Sequence, residues 1–190
     1  GFNDVVKGTI NILVDGGQID TVFGVGFEDY RDAVFIDGHR TRILNEDNLE
    51  DAVYIKIINV SQTDDFLMMT ADGLGMGISG SQKTDLVNGD VTIEVENSDI
   101  DQVCIGGRTT NYSTEWAELE GEGNIIIKDS NVYAIRGHKV NYENEKNKSN
   151  VYFEGTEHSE IGYTYWVDNV TVGEGADVMI GSADLWDDEM

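Results

Sequence analysis

Two stretches of this chain, 81 residues apart, align without a gap: GTINILVDGGQIDTVFGVG, from Gly8 to Gly26, and GDVTIEVENSDIDQVCIGG, from Gly89 to Gly107. Ile10, Ile12, Val14, Ile19 and Val22 fall on Val91, Ile93, Val95, Ile100 and Val103. A shift of 32 brings in Ile125, Ile127, Val132 and Ile135, and a further 26 brings in Val151, Phe153 and Ile161. Looser copies surround Val53, Ile55 and Ile57, and Val170, Val172 and Ile180. A unit this short cannot bury its apolar face alone, so the return of one register means that similar units stack on one another.

Each copy is an alternating strand of about five residues, a small polar turn, and a second short apolar stretch. Alternation buries one face of a strand, and Gly16, Gly17, Ser98 and Ser130 suit a tight corner where a larger side chain would obstruct the bend. Spacings of 26, 32 and 81, the last taken as three turns of 27, are too long for two-strand turns. They predict an all-β chain folded as a three-sided parallel β-helix, or solenoid, with loop insertions. About seven coils at roughly 4.8 Å each give a rod about 34 Å long, one domain over residues 1–190. A β-sandwich or jelly roll built from similar hairpins is the alternative. Helix signals are confined to TEWAELEG, Thr114 to Gly121, and NEDNLED, residues 45–51, each read as a two-turn insertion between coils.

Charge narrows the partners. The chain carries 37 Asp and Glu against 12 Lys and Arg, a formal net charge of -25, with 17 acids to 6 bases in residues 1–95 and 20 to 6 in 96–190. Phosphate backbones and anionic lipid heads are repelled by such a surface, which argues against nucleic acid and bare membranes and leaves cations, neutral glycans and basic proteins. With no Pro, 22 Gly and a single Cys, the chain is neither collagen-like, nor a disulfide scaffold, nor a Cys-based zinc module. No apolar run approaches the roughly 18 to 20 residues of a membrane helix, so no membrane insertion is expected. The sequence starts at Gly1 with no signal segment, which reads as a processed chain or a module of a longer surface protein.

The strand followed by Gly-Gly-x-Ile-x-x-Val and a terminal aromatic plus Gly (DGGQIDTVFG, Asp15 to Gly24) resembles the degenerate repeats of large adhesin-like cell-surface proteins of bacteria and archaea. That resemblance covers about two thirds of the chain. It implies a right-handed parallel β-helix, an extracellular or cell-surface location, secretion, and a role in display or adhesion, with a glycan or a host or cell-surface protein as partner. Filaments built by end-to-end self-association fit the same picture. It carries over no functional residue.

Three turns set cations beside Gly: Gly38-His39-Arg40-Thr41-Arg42, Gly106-Gly107-Arg108-Thr109 and Arg136-Gly137-His138-Lys139. Stacked, Arg40, Arg42, Arg108, Arg136, His138 and Lys139 would form a basic ladder able to clamp a carboxylated or sulfated glycan through bidentate arginines. The competing reading is that they neutralise acidic neighbours. Carboxylates at Glu46, Asp47, Glu50 and Asp51, at Asp64 and Asp65, and at Asp99 and Asp101 suggest a Ca2+ site, although none follows the EF-hand or nonapeptide spacing. Asp99 or Asp101 with Asp129 would suit the paired carboxylates of a glycoside hydrolase, and Arg108 or Arg136 the cation of a polysaccharide lyase; that enzyme class is the alternative to a non-catalytic module. His138 and His158 stand 20 residues apart with no Cys nearby, so zinc is not expected. GLGMGISG, Gly73 to Gly80, reads as a tight corner rather than a dinucleotide loop. Tyr163, Tyr165, Trp166 and Trp186 are candidates for stacking on sugars, or for packing in the core.

Overall fold

In the computed structural model, residues 5–18, 21–24, 41–44, 51–61, 70–73, 85–106, 118–138 and 148–181 are described. They form sixteen strands and, among the described residues, no helix. The strands are β1 (Val5–Lys7), β2 (Ile10–Asp15), β3 (Thr21–Phe23), β4 (Thr41–Leu44), β5 (Val53–Ile58), β6 (Thr70–Asp72), β7 (Asp85–Asn88) and β8 (Val91–Glu96). There follow β9 (Asp99–Cys104), β10 (Glu118–Leu119), β11 (Gly123–Lys128), β12 (Asn131–Arg136), β13 (Ser149–Glu154), β14 (His158–Tyr165), β15 (Asn169–Val172) and β16 (Asp177–Ile180). Sheet 1 has the order β1-β4-β7-β10, sheet 2 the order β15-β13-β11-β8-β5-β2, and sheet 3 the order β16-β14-β12-β9-β6-β3. Every pairing is parallel, so the protein is all-β with parallel strands. Among the described residues the chain visits the three sheets in rotation four times, then alternates between sheets 2 and 3.

Register turns the sequence repeat into columns. Ile12, Ile55, Ile93, Ile125, Val151 and Val170 pair in one line across sheet 2, and Val14, Ile57, Val95, Ile127, Phe153 and Val172 in another. Ile55, Ile57, Val91, Ile93, Val95 and Ile127 are wholly buried, with Ile125 beside them, as the alternation requires. The third column, Ile10, Val53 and Val91, ends in Gly123 and Ser149. A Cβ at Gly123 would meet Ile105 Cγ2 at 2.5 Å, so the Ile105 side chain takes the volume a larger residue would need.

The spacing differs from the sequence expectation. Partners in sheet 2 lie 43 residues on from Ile10 to Val53, then 38 from Val53 to Val91, 32 from Val91 to Gly123, 26 from Gly123 to Ser149 and 19 from Val151 to Val170. The 81-residue repeat is therefore two steps, not three turns of 27, and sheet 2 has six strands where about seven coils were expected. Unequal insertions between strands set the step length, and the apolar period inside a strand carries no information about them. Ile161, aligned with Ile135 by the shift of 26, instead pairs with Val132, because the turn from β13 to β14 is longer than the turn from β11 to β12.

The helix expected in TEWAELEG is not formed at its second half, since Glu118–Leu119 is strand β10, paired with Leu86 and Val87. Leu119 is buried in the core there, which a solvent-facing helical insertion would not achieve. Residues 45–50 and 114–117 lie outside the described residues.

The corner between sheets 2 and 3 repeats with a fixed backbone conformation. The residue after each sheet 2 strand from β2 to β13 has positive φ: Gly16 (71), Asn59 (57), Asn97 (46), Asp129 (49) and Gly155 (97). Gly, Asn and Asp tolerate the left-handed region best, so this column admits few other residues. Just beyond it runs a buried serine ladder. Val60 N donates to Ser98 Oγ (3.0 Å), Ser98 N to Ser130 Oγ (3.1 Å) and Ser130 N to Ser159 Oγ (3.0 Å). Ser98 and Ser130 hydroxyls donate back to the carbonyls of Glu96 and Lys128. Small size was the feature legible in the sequence; the hydrogen bonds explain why the residue is Ser and not Ala.

Candidate binding surface

Sheet 3 departs from strict alternation, and that departure builds a site. Ile100 and Val103, three residues apart on β9, both belong to the core, as do Val132 and Ile135 on β12. A strand of period two cannot turn both inward without leaving two consecutive residues between them facing away. On β12 those residues are Tyr133 and Ala134; on β14 the corresponding pair is Gly162 and Tyr163. Gly162 is required there, because a Cβ would meet Tyr133 O and the Tyr133 ring. Ala134 is fully buried although it stands outside the core cluster, with tyrosines beside it and across from it.

An aromatic chain results. The rings of Tyr133 and Tyr163 lie edge to face at 5.0 Å, those of Tyr163 and Tyr165 at 4.8 Å, and Tyr165 lies 6.2 Å from Trp166. Arg136, paired in register with Tyr165, sets its guanidinium carbon 5.8 Å from the centre of that ring. Tyr165 is 46% and Trp166 44% exposed, so the strip opens to solvent at one end. Trp166 is held with φ 53, and its carbonyl packs where a Cβ on Gly137 would sit. That contact fixes the corner carrying the indole.

Of the cations proposed for a ladder, Arg136 lies in this strip, while His138 is buried and packs against Gly106. The turns at 106 and 136–138 are therefore neighbours, since β9 and β12 pair. Burial pushes the His138 imidazole down to about 4, against a weaker upward pull from Asp168, so the ring is neutral at pH 7. Arg42 falls on β4, in sheet 1, where it pairs with Val5 and Leu86. Arg40, Arg108 and Lys139 lie outside the described residues, as does Trp186. His158 contacts Asp177 (3.0 Å) on the neighbouring strand.

The carboxylates are engaged locally. Asp129 accepts from Thr156 N (2.8 Å) and Glu157 N (2.6 Å), and Asp99 accepts from Asn131 Nδ2 (2.8 Å). Asp51 accepts from the Thr92 hydroxyl, and Asp101 is half-buried on β9. Among the described residues no three His, Cys, Asp or Glu side chains gather as metal ligands; Glu46, Asp47, Glu50, Asp64 and Asp65 lie outside them.

Two features were missed at the sequence level. On the outer face of sheet 2, Glu94 accepts from Lys56 (3.0 Å), Lys128 (2.8 Å) and the Tyr54 hydroxyl. Burial alone would push this carboxyl up, but hydrogen bonds from Lys128, Tyr54 and Lys56 outweigh it and hold it at about 2. Burial and the bond to Glu94 push Tyr54 up to about 12. The second is a ladder of carboxamides: Asn169 Nδ2 donates to Asn150 Oδ1 (2.9 Å), and Asn150 Nδ2 to Asn124 Oδ1 (3.1 Å). Register places Lys56 opposite Glu94 and Asn124 opposite Asn150, whereas Lys128, opposite Glu96, and Tyr54, opposite Thr92, reach Glu94 diagonally.

Comparison of the chain with protein-family models, with curated proteins and with solved structures finds no match.

Proposed function

We propose that this chain is a right-handed parallel β-helix of one domain, working as a non-catalytic, extracellular module of an adhesin-like surface protein or filament that binds glycans. Rotation through three parallel sheets supports the helix, and parallel crossovers are overwhelmingly right-handed. The observation that carries the binding reading is the strip Tyr133, Tyr163, Tyr165 and Trp166 beside Arg136, presented on a parallel sheet. Aromatic faces pack against the C–H faces of sugar rings, and a guanidinium adds a directional contact to a carboxylate or sulfate. On a surface of net charge -25, an arginine at the strip gives an anionic glycan one place to dock.

Titration calorimetry with matched neutral and uronate-containing oligosaccharides tests this. Binding is expected for the chain, with Tyr165→Ala weakening both ligand classes and Arg136→Gln weakening the uronates about tenfold while sparing the neutral ones. Release of reducing sugar or unsaturated product, abolished by Arg136→Gln, would replace this reading with the polysaccharide-active enzyme.

A further inference from the structure

Columns that are closed through the middle of sheets 2 and 3 come to the surface at β15 and β16. Val170 and Val172 are 48% and 55% exposed, whereas their column partners Val151 and Phe153 are 1% and 0%. Met179 and Ile180 on β16 are 45% and 46% exposed, and Ile180 pairs with the fully buried Ile161. Among the described residues both strands are also the last in their sheets, so half of their backbone hydrogen-bonding groups point away from a described partner strand.

We infer that this face docks the opposite edge of a second copy of the chain, head to tail. The occupant is identified by register. Following the pairs across sheet 2, Asn169, Val170, Thr171 and Val172 of β15 stand in the same columns as Asn11, Ile12, Leu13 and Val14 of β2, the strand at the far edge. Strand on like strand is the contact the chain already makes five times within sheet 2. A second copy advanced along the stacking direction sets Ile12 on Val170 and Val14 on Val172. It also carries the carboxamide ladder one bond further, Asn11 Nδ2 of the new copy donating to Asn169 Oδ1 as Asn169 does to Asn150. The two surfaces differ, so the contact is heterologous and does not close at a dimer. Opposing it is the repulsion between two chains of net charge -25, which salt screens. The inference rests on the filament part of the proposed function, and its edge adjoins the aromatic strip, since β14 pairs with β16; sedimentation without glycan and calorimetry on the glutamate variant report association and glycan binding separately.

Sedimentation velocity on the 190-residue chain across a wide concentration range, in low and in high NaCl, is the test. The expected result is a weight-average mass that climbs past twice 21.0 kDa with concentration, more steeply in high salt. The double variant Val170→Thr, Val172→Thr keeps β-branched shape on an exposed strand and is expected to weaken association about tenfold. Val170→Glu with Val172→Glu is expected to be monomeric and, added to wild type, to cap and shorten its assemblies, because its β2 edge is intact; circular dichroism confirms that both variants fold. A monomer at every concentration and salt, a mass that levels off at the dimer, or assembly unchanged in the glutamate variant would each overturn the inference.

Discussion

Ser130 shows how little tolerance one buried position has. Its Oγ accepts the Ser98 amide and donates to the Lys128 carbonyl, and the residue is 2% exposed. Ser130→Ala fits the space but leaves the Ser98 N–H buried without an acceptor, which costs about 1–3 kcal/mol in urea unfolding; an unchanged midpoint would contradict the ladder. His138 makes a prediction in pH. Its ring is held at about 4 by burial against an ordinary value of 6.5, so the unfolded chain binds a proton that the folded chain refuses. Stability contributed here is complete above about pH 6.5 and falls as pH drops toward 4. His138→Asn is expected to flatten the stability profile in that window, measured by denaturant unfolding at several pH values. The sequence offered His138 as a candidate ligand contact from its place beside Arg136 and Lys139; nothing local in that turn marks the ring as buried, because the neighbouring chain that encloses it comes from Gly106 and from Ser149, whose Oγ accepts the His138 amide (2.7 Å).

The outer face of sheet 2 joins strands through Glu94. Lys56 on β5 and Lys128 on β11 reach it from either side, and Lys128 also contacts Glu154 on β13 (3.5 Å). Because Glu94 is held at about 2 rather than 4.5, its contribution is present above about pH 4.5 and is lost as pH falls toward 2. Glu94→Gln is expected to lower stability at pH 7 and to remove that acid-limb slope, leaving the His138 window untouched; thermal melts from pH 7 down to 2.5 separate the two. Strand alternation was readable for β2, β8 and β11, whose apolar faces are regular. It was not readable for β10, two residues long, whose existence depends on Leu119 finding Val87 from a strand more than thirty residues earlier. Nor was the aromatic strip: alternation within Tyr163-Thr164-Tyr165 placed those two rings on one face, but Tyr133 joins them only through Gly162 and the offset pairing of β12 with β14.

Stacked parallel strands make stability a sum of neighbour contacts, so the ends open first. Hydrogen exchange is expected to be slowest in β8 and β11, whose apolar residues are buried under a strand on each side, and fastest in β15 and β16, whose residues are largely exposed; slow exchange in β15 in the dilute chain would refute the open edge. Several properties were fixed by the sequence alone. The return of Ile10, Ile12 and Val14 as Val91, Ile93 and Val95, and of Ile93 and Val95 as Ile125 and Ile127, specified all-β strands sharing one buried face, since a slip of one residue would turn every one of them outward. The charge of -25 and the absence of Pro were equally independent of folding. Tertiary structure decided the rest: the steps of 43, 38, 32, 26 and 19 residues, the burial of His138, and the meeting of Tyr133, Tyr163, Tyr165, Trp166 and Arg136. The physical reason is one of range. Alternation is set between residues two apart on a strand and is written in the chain, whereas contacts across a parallel ladder join residues tens of positions apart through insertions whose lengths the strand pattern does not record.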